Sequence, residues 1–186
     1  MLARSVSFQD GKGGGLYLGA GRVLTCQHVI EAIGSRDVRL ELQGRTFAAR
    51  VVYVEPRVDL AYLVFAETET LPAAETPVWV DRASLRAGMP VYLMGSPYGL
   101  NASLLAGIVS HTDRSRTDPA FAKIPFVQTQ GLSYPGTSGA AVYLEDGRVA
   151  GINRATFGSR AGTGIGLVIP AGFVRVFLER ARASLP

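Results

Sequence analysis

Pro135-Gly136-Thr137-Ser138-Gly139-Ala140 is a glycine-flanked turn between apolar runs at 126–128 and 140–143. A serine hydroxyl becomes a useful nucleophile only when a base takes its proton, and histidine suits that exchange because its pKa lies near neutral pH. The chain has two histidines, His28 and His111, and both precede Ser138. A base for Ser138 therefore comes from upstream. Orders that place the histidine after the nucleophile are excluded, and an acid-first order leaves only Asp10 ahead of His28. The order base, acid, nucleophile fits as it stands.

His28 lies in Val23-Leu24-Thr25-Cys26-Gln27-His28-Val29-Ile30, a β-branched and aliphatic run that reads as a strand passing into a short helical turn. A polar ring there needs partners, either backbone groups of a core or a carboxylate and a serine. Asp59 supplies the carboxylate. It heads Val58-Asp59-Leu60-Ala61-Tyr62-Leu63-Val64-Phe65, where an ionised group is costly unless paired, although a structural cap on a turn after Pro56 would also explain it. Asp37, Asp81, Asp113 and Asp118 stand in polar, turn-like contexts and read as solvated loop charges, as His111 does in Ser110-His111-Thr112-Asp113. Gly136 and Gly139 bracket the serine in a way that suits backbone N–H groups aimed at a developing oxyanion, with Gly136 and Ser138 as the donors.

Short apolar or alternating runs recur at 15–18, 38–42, 47–54, 61–65, 78–80, 90–95, 104–110, 126–128, 140–143, 149–153 and 164–169, punctuated by Gly, Pro, Asp and Ser. The pattern predicts an all-β protein. Asp146-Gly147 predicts a hairpin turn. Between residues 67 and 88 the composition shifts to Glu, Thr, Pro and Ala, which predicts a crossing between two halves. After Pro170 the period changes, with Phe173, Val176, Phe177 and Ala181 on one face, which predicts a terminal α-helix at about 171–184 docked on the second half.

Five motifs in order make the chain resemble the HtrA/Deg branch of the chymotrypsin-fold serine proteases. Leu24-Thr25-Cys26-Gln27-His28-Val29-Ile30 is similar to that branch's L-T-N-x-H-V stretch, and Val58-Asp59-Leu60-Ala61-Tyr62-Leu63 to T-D-L-A-V-L. Met94-Gly95-Ser96-Pro97-Tyr98-Gly99-Leu100, followed by Gly107-Ile108-Val109-Ser110, resembles I-G-N-P-F-G-L and G-I-V-S. Gln128-Thr129 through Ala140 resembles Q-T-D-A-x-x-N-P-G-N-S-G-G, and the segments at 151–153 and 164–170 are similar to G-I-N and G-I-G-F-A-I-P. The resemblance implies two six-stranded antiparallel β-barrels, at about 1–75 and 88–170, with the active site in their cleft, in one peptidase domain over 1–186. It implies a serine endopeptidase with catalytic His28, Asp59 and Ser138 and an oxyanion hole at Gly136 and Ser138. It further implies a substrate pocket near Leu132, Asn153, Arg154, Ala155, Gly164 and Leu167.

Some positions depart from the branch. Ala140 replaces a glycine, Thr137 and Tyr134 replace asparagines, and Gln130 replaces an aspartate. Thr137 cannot pair with a freshly cut N-terminus, so activation by N-terminal cleavage is not expected. The substituted stretch 130–134 is where a relative's loop collapses into a latent form. Leu132 stands where enzymes that cut after Lys or Arg carry an acid, which predicts cleavage after small or apolar residues. A catalytically silent scaffold that binds peptides, an esterase-like hydrolase, and a latent protease that needs an activating partner are the alternatives.

Composition bounds the rest. The chain has 186 residues, 47% of them hydrophobic and 18% charged, which is enough for a full core and argues against disorder. The net charge of +4 comes from dispersed arginines, with no basic run, so no nucleic-acid partner is expected. No apolar stretch nears the roughly 20 residues needed to cross a bilayer, so no membrane partner is expected. Met1-Leu2-Ala3-Arg4 leads into polar sequence, which predicts the cytoplasm for the chain as it stands and the periplasm for one whose leader has been removed. One cysteine, Cys26, allows no internal disulfide and reads as a small buried filler. No metal or cofactor is needed, the partner expected is a protein or peptide substrate, and a monomer is expected.

Overall fold

Apolar side chains alternate along Asp37–Leu42 and Arg45–Glu55, which turns one face of each strand to the core and the other to water. That period recurs through the protein and builds two closed sheets. The structure, a computed structural model, describes residues 4–9, 13–66, 71–156 and 164–185. In the first half run β1 (Ser5–Phe8), β2 (Gly14–Gly19), β3 (Arg22–Cys26), α1 (Gln27–Ile33), β4 (Asp37–Leu42), β5 (Arg45–Glu55) and β6 (Leu60–Phe65). The second half holds β7 (Pro90–Gly95), β8 (Ser103–Arg114), β9 (Phe126–Ser133), β10 (Ala141–Leu144), β11 (Val149–Thr156), β12 (Gly164–Pro170) and α2 (Ala171–Ala183). Each set of strands closes into an antiparallel barrel, in the order β1-β2-β3-β6-β5-β4 and β10-β11-β12-β9-β8-β7. Closure leaves no bare sheet edge to pair with another chain.

Hydrogen bonds and apolar packing join the barrels. Ser7 Oγ lies 2.8 Å from Ser96 Oγ, and Ser5 Oγ donates to Met94 O at 3.1 Å, so β1 is stitched to the end of β7. Buried residues of the first barrel form one continuous cluster with Phe126, Tyr143, Ile152 and Ile169 of the second and with Val174 and Phe177 of the helix. Val91, Leu93, Val109, Leu132, Val142 and Val168 fill the second barrel. Among the described residues no helix is long and apolar enough to cross a membrane.

Four expectations need correction. The run at 78–80 is not a strand of either barrel, because Trp79 makes only an isolated bridge to Val149. On α2 the buried face is Val174, Phe177, Leu178 and Ala181, while Val176 is exposed. The helix also packs on both barrels, with the Phe177 ring 5.4 Å from Tyr53 of β5, so the apolar stripe turns toward the seam between them. His111 lies on β8 opposite Gln128, not in a loop; it remains exposed, and its Nδ1 accepts from the Asp113 N–H at 3.0 Å. The expected hairpin forms between β10 and β11, where Gly147 adopts φ +83° and its N–H donates to Leu144 O at 3.0 Å.

Candidate active site

Strand β3 ends at Cys26, and the chain turns at once into α1, which leaves His28 in the first turn with its ring half-exposed. The helix has no side-chain cap of its own. Asp59, across the barrel at the mouth of β6, takes that place: its Oδ1 accepts the His28 backbone N–H at 2.9 Å. Its Oδ2 lies 2.7 Å from His28 Nδ1. One carboxylate thus grips both the backbone and the ring of the histidine. If Nδ1 carries the proton, Nε2 keeps its lone pair free to accept another, the protonation state a general base requires. Asp59 is 3% exposed and held at φ +56°, and Gln27 N–H donates to its carbonyl at 3.1 Å, so its backbone and its side chain are both fixed.

The turn that carries Ser138 comes from the second barrel and packs on the same strand. Gly139 sits so close to β3 that a Cβ there would fall 2.3 Å from Gly14 O and from Thr25 Oγ1, and 3.1 Å from Cys26 N. Gly14 N–H donates to Ser138 O at 2.8 Å, while Gly139 N–H donates to Asn153 O at 2.8 Å. Inside the turn, Thr137 Oγ1 donates to Tyr134 O at 2.8 Å, and Thr137 N–H donates to the same oxygen at 3.0 Å. The backbone N–H groups of Gly136 and Ser138 have no partner among the described residues. They are the pair expected to serve an oxyanion. Ser138 Oγ likewise has no hydrogen bond to a described group, so the expected link between Ser138 and His28 is open in this structure.

Two residues do more than their sequence contexts indicated. Asn153, fully buried on β11, donates through Nδ2 to Thr137 Oγ1 at 3.0 Å and to Thr137 O at 3.2 Å, which fastens the serine turn from behind. Arg154 donates from Nε to Asp59 Oδ2 at 2.9 Å and from Nη1 to Asp118 Oδ2 at 2.8 Å. Asp118 is therefore an ion-paired residue and not a solvated loop charge. No spacing rule links positions 59, 118 and 154, because the contact exists only after both barrels close.

The remaining expected pocket residues lie on neighbouring strands of the second barrel: Leu132 on β9, and Gly164 and Leu167 on β12. The Leu132 side chain is fully buried in the core of that barrel, and Leu167 is 3% exposed in the cluster between the barrels, so both pack inward. Ala155 pairs with Leu167, and its side chain lies outside the described residues.

Liganding atoms of Cys26, His28 and Asp59 lie within 4.8 Å of one another. The Arg154 guanidinium already on Asp59 repels a cation there. Burial, and secondarily the Asp59 charge, push the Cys26 thiol well above its usual pKa, so the neutral form is held and its S–H donates to Asn153 O at 3.6 Å. Cys26 is thus expected to resist a thiol reagent in the native protein and to react once denatured. Colorimetric titration with and without denaturant checks this, and rapid labelling of the native form would contradict it.

The trypsin-like peptidase domain profile matches residues 13–152. The chain belongs to the trypsin-like peptidase family. Among curated relatives of the chain, the probable periplasmic serine endoprotease DegP-like of Marinomonas sp. is 38% identical over 165 residues, covering 88% of the chain and 34% of the relative. The periplasmic serine endoprotease DegP of Salmonella typhimurium is 33% identical over 156 residues, covering 83% of the chain and 32% of that protein. The chain therefore spans about a third of the length of these relatives. In solved structures, the HtrA-type protease AlgW with a tripeptide superposes with a TM-score of 0.80 at 28% identity, covering 94% of the chain and 58% of AlgW. The same protease with a decapeptide gives 0.77 at 30% identity, covering 93% and 51%. These likenesses bear out the HtrA/Deg resemblance. The relatives are named as periplasmic, which gives no support to the cytoplasmic expectation.

Proposed function

We propose that the chain is the peptidase unit of a periplasmic serine endopeptidase that hydrolyses peptide bonds in protein or peptide substrates. The observation that carries this is the double grip of Asp59 on His28, backbone N–H at 2.9 Å and ring Nδ1 at 2.7 Å, opposite a turn in which the N–H groups of Gly136 and of Ser138 itself have no partner among the described residues. Ser138 Oγ attacks the substrate carbonyl while His28 Nε2 takes its proton, and Asp59 stabilises the resulting imidazolium. The N–H groups of Gly136 and Ser138 receive the oxyanion. His28 then returns the proton to the leaving amine, and water repeats the sequence on the acyl-enzyme.

In this reading Asn153, Ala155 and Gly164 lie nearest the substrate side chain, with Leu132 and Leu167 packed inward behind them and Arg154 turned to Asp59. With a leucine at 132 and no carboxylate there, cleavage after small or apolar residues is favoured over cleavage after Lys or Arg. A peptide library read by mass spectrometry tests this directly. The expected products end in small or apolar residues, and a dominant preference for Lys or Arg would overturn the specificity.

A latent protease that an activating partner switches on is a second reading. The open link between Ser138 Oγ and His28 favours it. In unliganded enzymes such bonds are commonly long and tighten only with substrate bound, so that observation alone does not displace the first reading.

A further inference from the structure

Asp59 carries a buried negative charge, and His28 accounts for only part of its hydrogen bonding. The remaining contact is Arg154 Nε, 2.9 Å from the oxygen that faces the ring, on a side chain only 14% exposed. Arg154 is itself held from three directions. Its Nη1 donates to Asp118 Oδ2 at 2.8 Å, its guanidinium lies 4.0 Å from the centre of the Phe121 ring, and it is 5.7 Å from that of Phe126. Asp118 in turn accepts the Ala120 N–H at 3.0 Å, which fixes the turn carrying Phe121. A planar fork that stacks on an aromatic face while reaching two carboxylates is arginine chemistry that lysine cannot reproduce.

The backbone carries the same logic. The residue before Arg154 is Asn153, whose N–H donates to Ala140 O at 2.9 Å and whose side chain holds Thr137. Two consecutive residues of β11 therefore anchor the serine turn and the acid of the histidine.

We propose that Arg154 is a positioning residue for the hydrolytic reaction: it holds the Asp59 carboxylate in register with His28, with Asp118 and Phe121 as its brace. The proposal rests on the serine-protease reading of the site. It reassigns Arg154 from the border of the substrate pocket to the support of the acid. Through Asp59 it affects turnover, whereas a residue touching substrate would affect KM.

The test compares the native protein with Arg154→Met, Arg154→Lys and Asp118→Asn on a peptide substrate, and then places Arg154→Met in an Asp59→Asn background. Arg154→Met is expected to lower kcat about tenfold or more with KM nearly unchanged. Arg154→Lys, which keeps the charge, and Asp118→Asn, which removes only the brace, should lose less. Rates of labelling by a fluorophosphonate remain measurable in slow variants, and in the Asp59→Asn background Arg154→Met is expected to change them less than twofold. Thermal melts identify any variant that fails to fold, and Arg154→Lys and Asp118→Asn carry the test if Arg154→Met is lost in that way. A raised KM at constant kcat, equal losses in both backgrounds, or unchanged kinetics in a folded Arg154→Met would overturn the proposal while leaving the serine-protease reading intact. A native protein with no labelling and no cleavage would overturn that reading and the proposal with it.

Discussion

Replacing Ser138 with alanine is expected to lower kcat on a peptide substrate by about 10⁵-fold or more, and adding His28→Ala to lower it hardly further. The two side chains act as one device: an imidazole without a hydroxyl has no proton to take, and a hydroxyl without its base is a poor nucleophile. The residual rate should stay above that of water, because the Gly136 and Ser138 N–H groups survive both changes. Ser138→Ala should leave stability nearly untouched, since the structure gives Oγ no bond among the described residues to lose. Initial rates on a fluorogenic peptide beside a thermal melt separate these effects. Additive losses from the single variants would mean that the residues do not work together.

A second large effect is expected from the neighbouring glycine, on folding as well as on rate. Gly139 is held at φ +86°, and an added Cβ would meet Gly14 O and Thr25 Oγ1 at 2.3 Å, which are backbone and buried side-chain atoms with no room to withdraw. Gly139→Ala combines left-handed strain with overpacking, together about 3 kcal/mol or more. For a protein of this size that corresponds to a fall in Tm of roughly 6–12 °C. Thr25 also donates to Gly14 O at 2.7 Å, so the displacement spreads toward Cys26 and His28 and should reduce activity beyond the loss of folded protein. A melt of Gly139→Ala unchanged within about 1 °C would contradict the packing described at the joint between the barrels.

Much of this was legible in the sequence because it depends on local pattern. The alternation through 38–42 and 47–54 marks β4 and β5, and Asp146-Gly147 marks its hairpin. His28 and Asp59 stood out as polar residues in apolar company, which matches the buried carboxylate and half-exposed ring the structure brings together. Strand β1 was missed because half of its four residues are serines, and the contacts that hold them, Ser5 to Met94 and Ser7 to Ser96, lie 89 residues away. Trp79 was drawn into an expected strand by its apolar neighbours, although among the described residues its ladder contact is a single bridge to Val149. The α2 face was set a step off because the helix buries Leu178 against two barrels at once, and a helical period alone does not state which sides are covered. Arg154 illustrates the limit: its partners lie 95 and 36 positions away, so no local rule could pair them.

The central claim is that Ser138 is an activated nucleophile served by His28. Intact-mass measurement after treatment with a fluorophosphonate, on the native protein and on Ser138→Ala and His28→Ala, tests it most directly. A single adduct on the native protein, absent from Ser138→Ala and strongly slowed in His28→Ala, is the predicted result. An unmodified native protein, or an adduct that persists in Ser138→Ala, would contradict it.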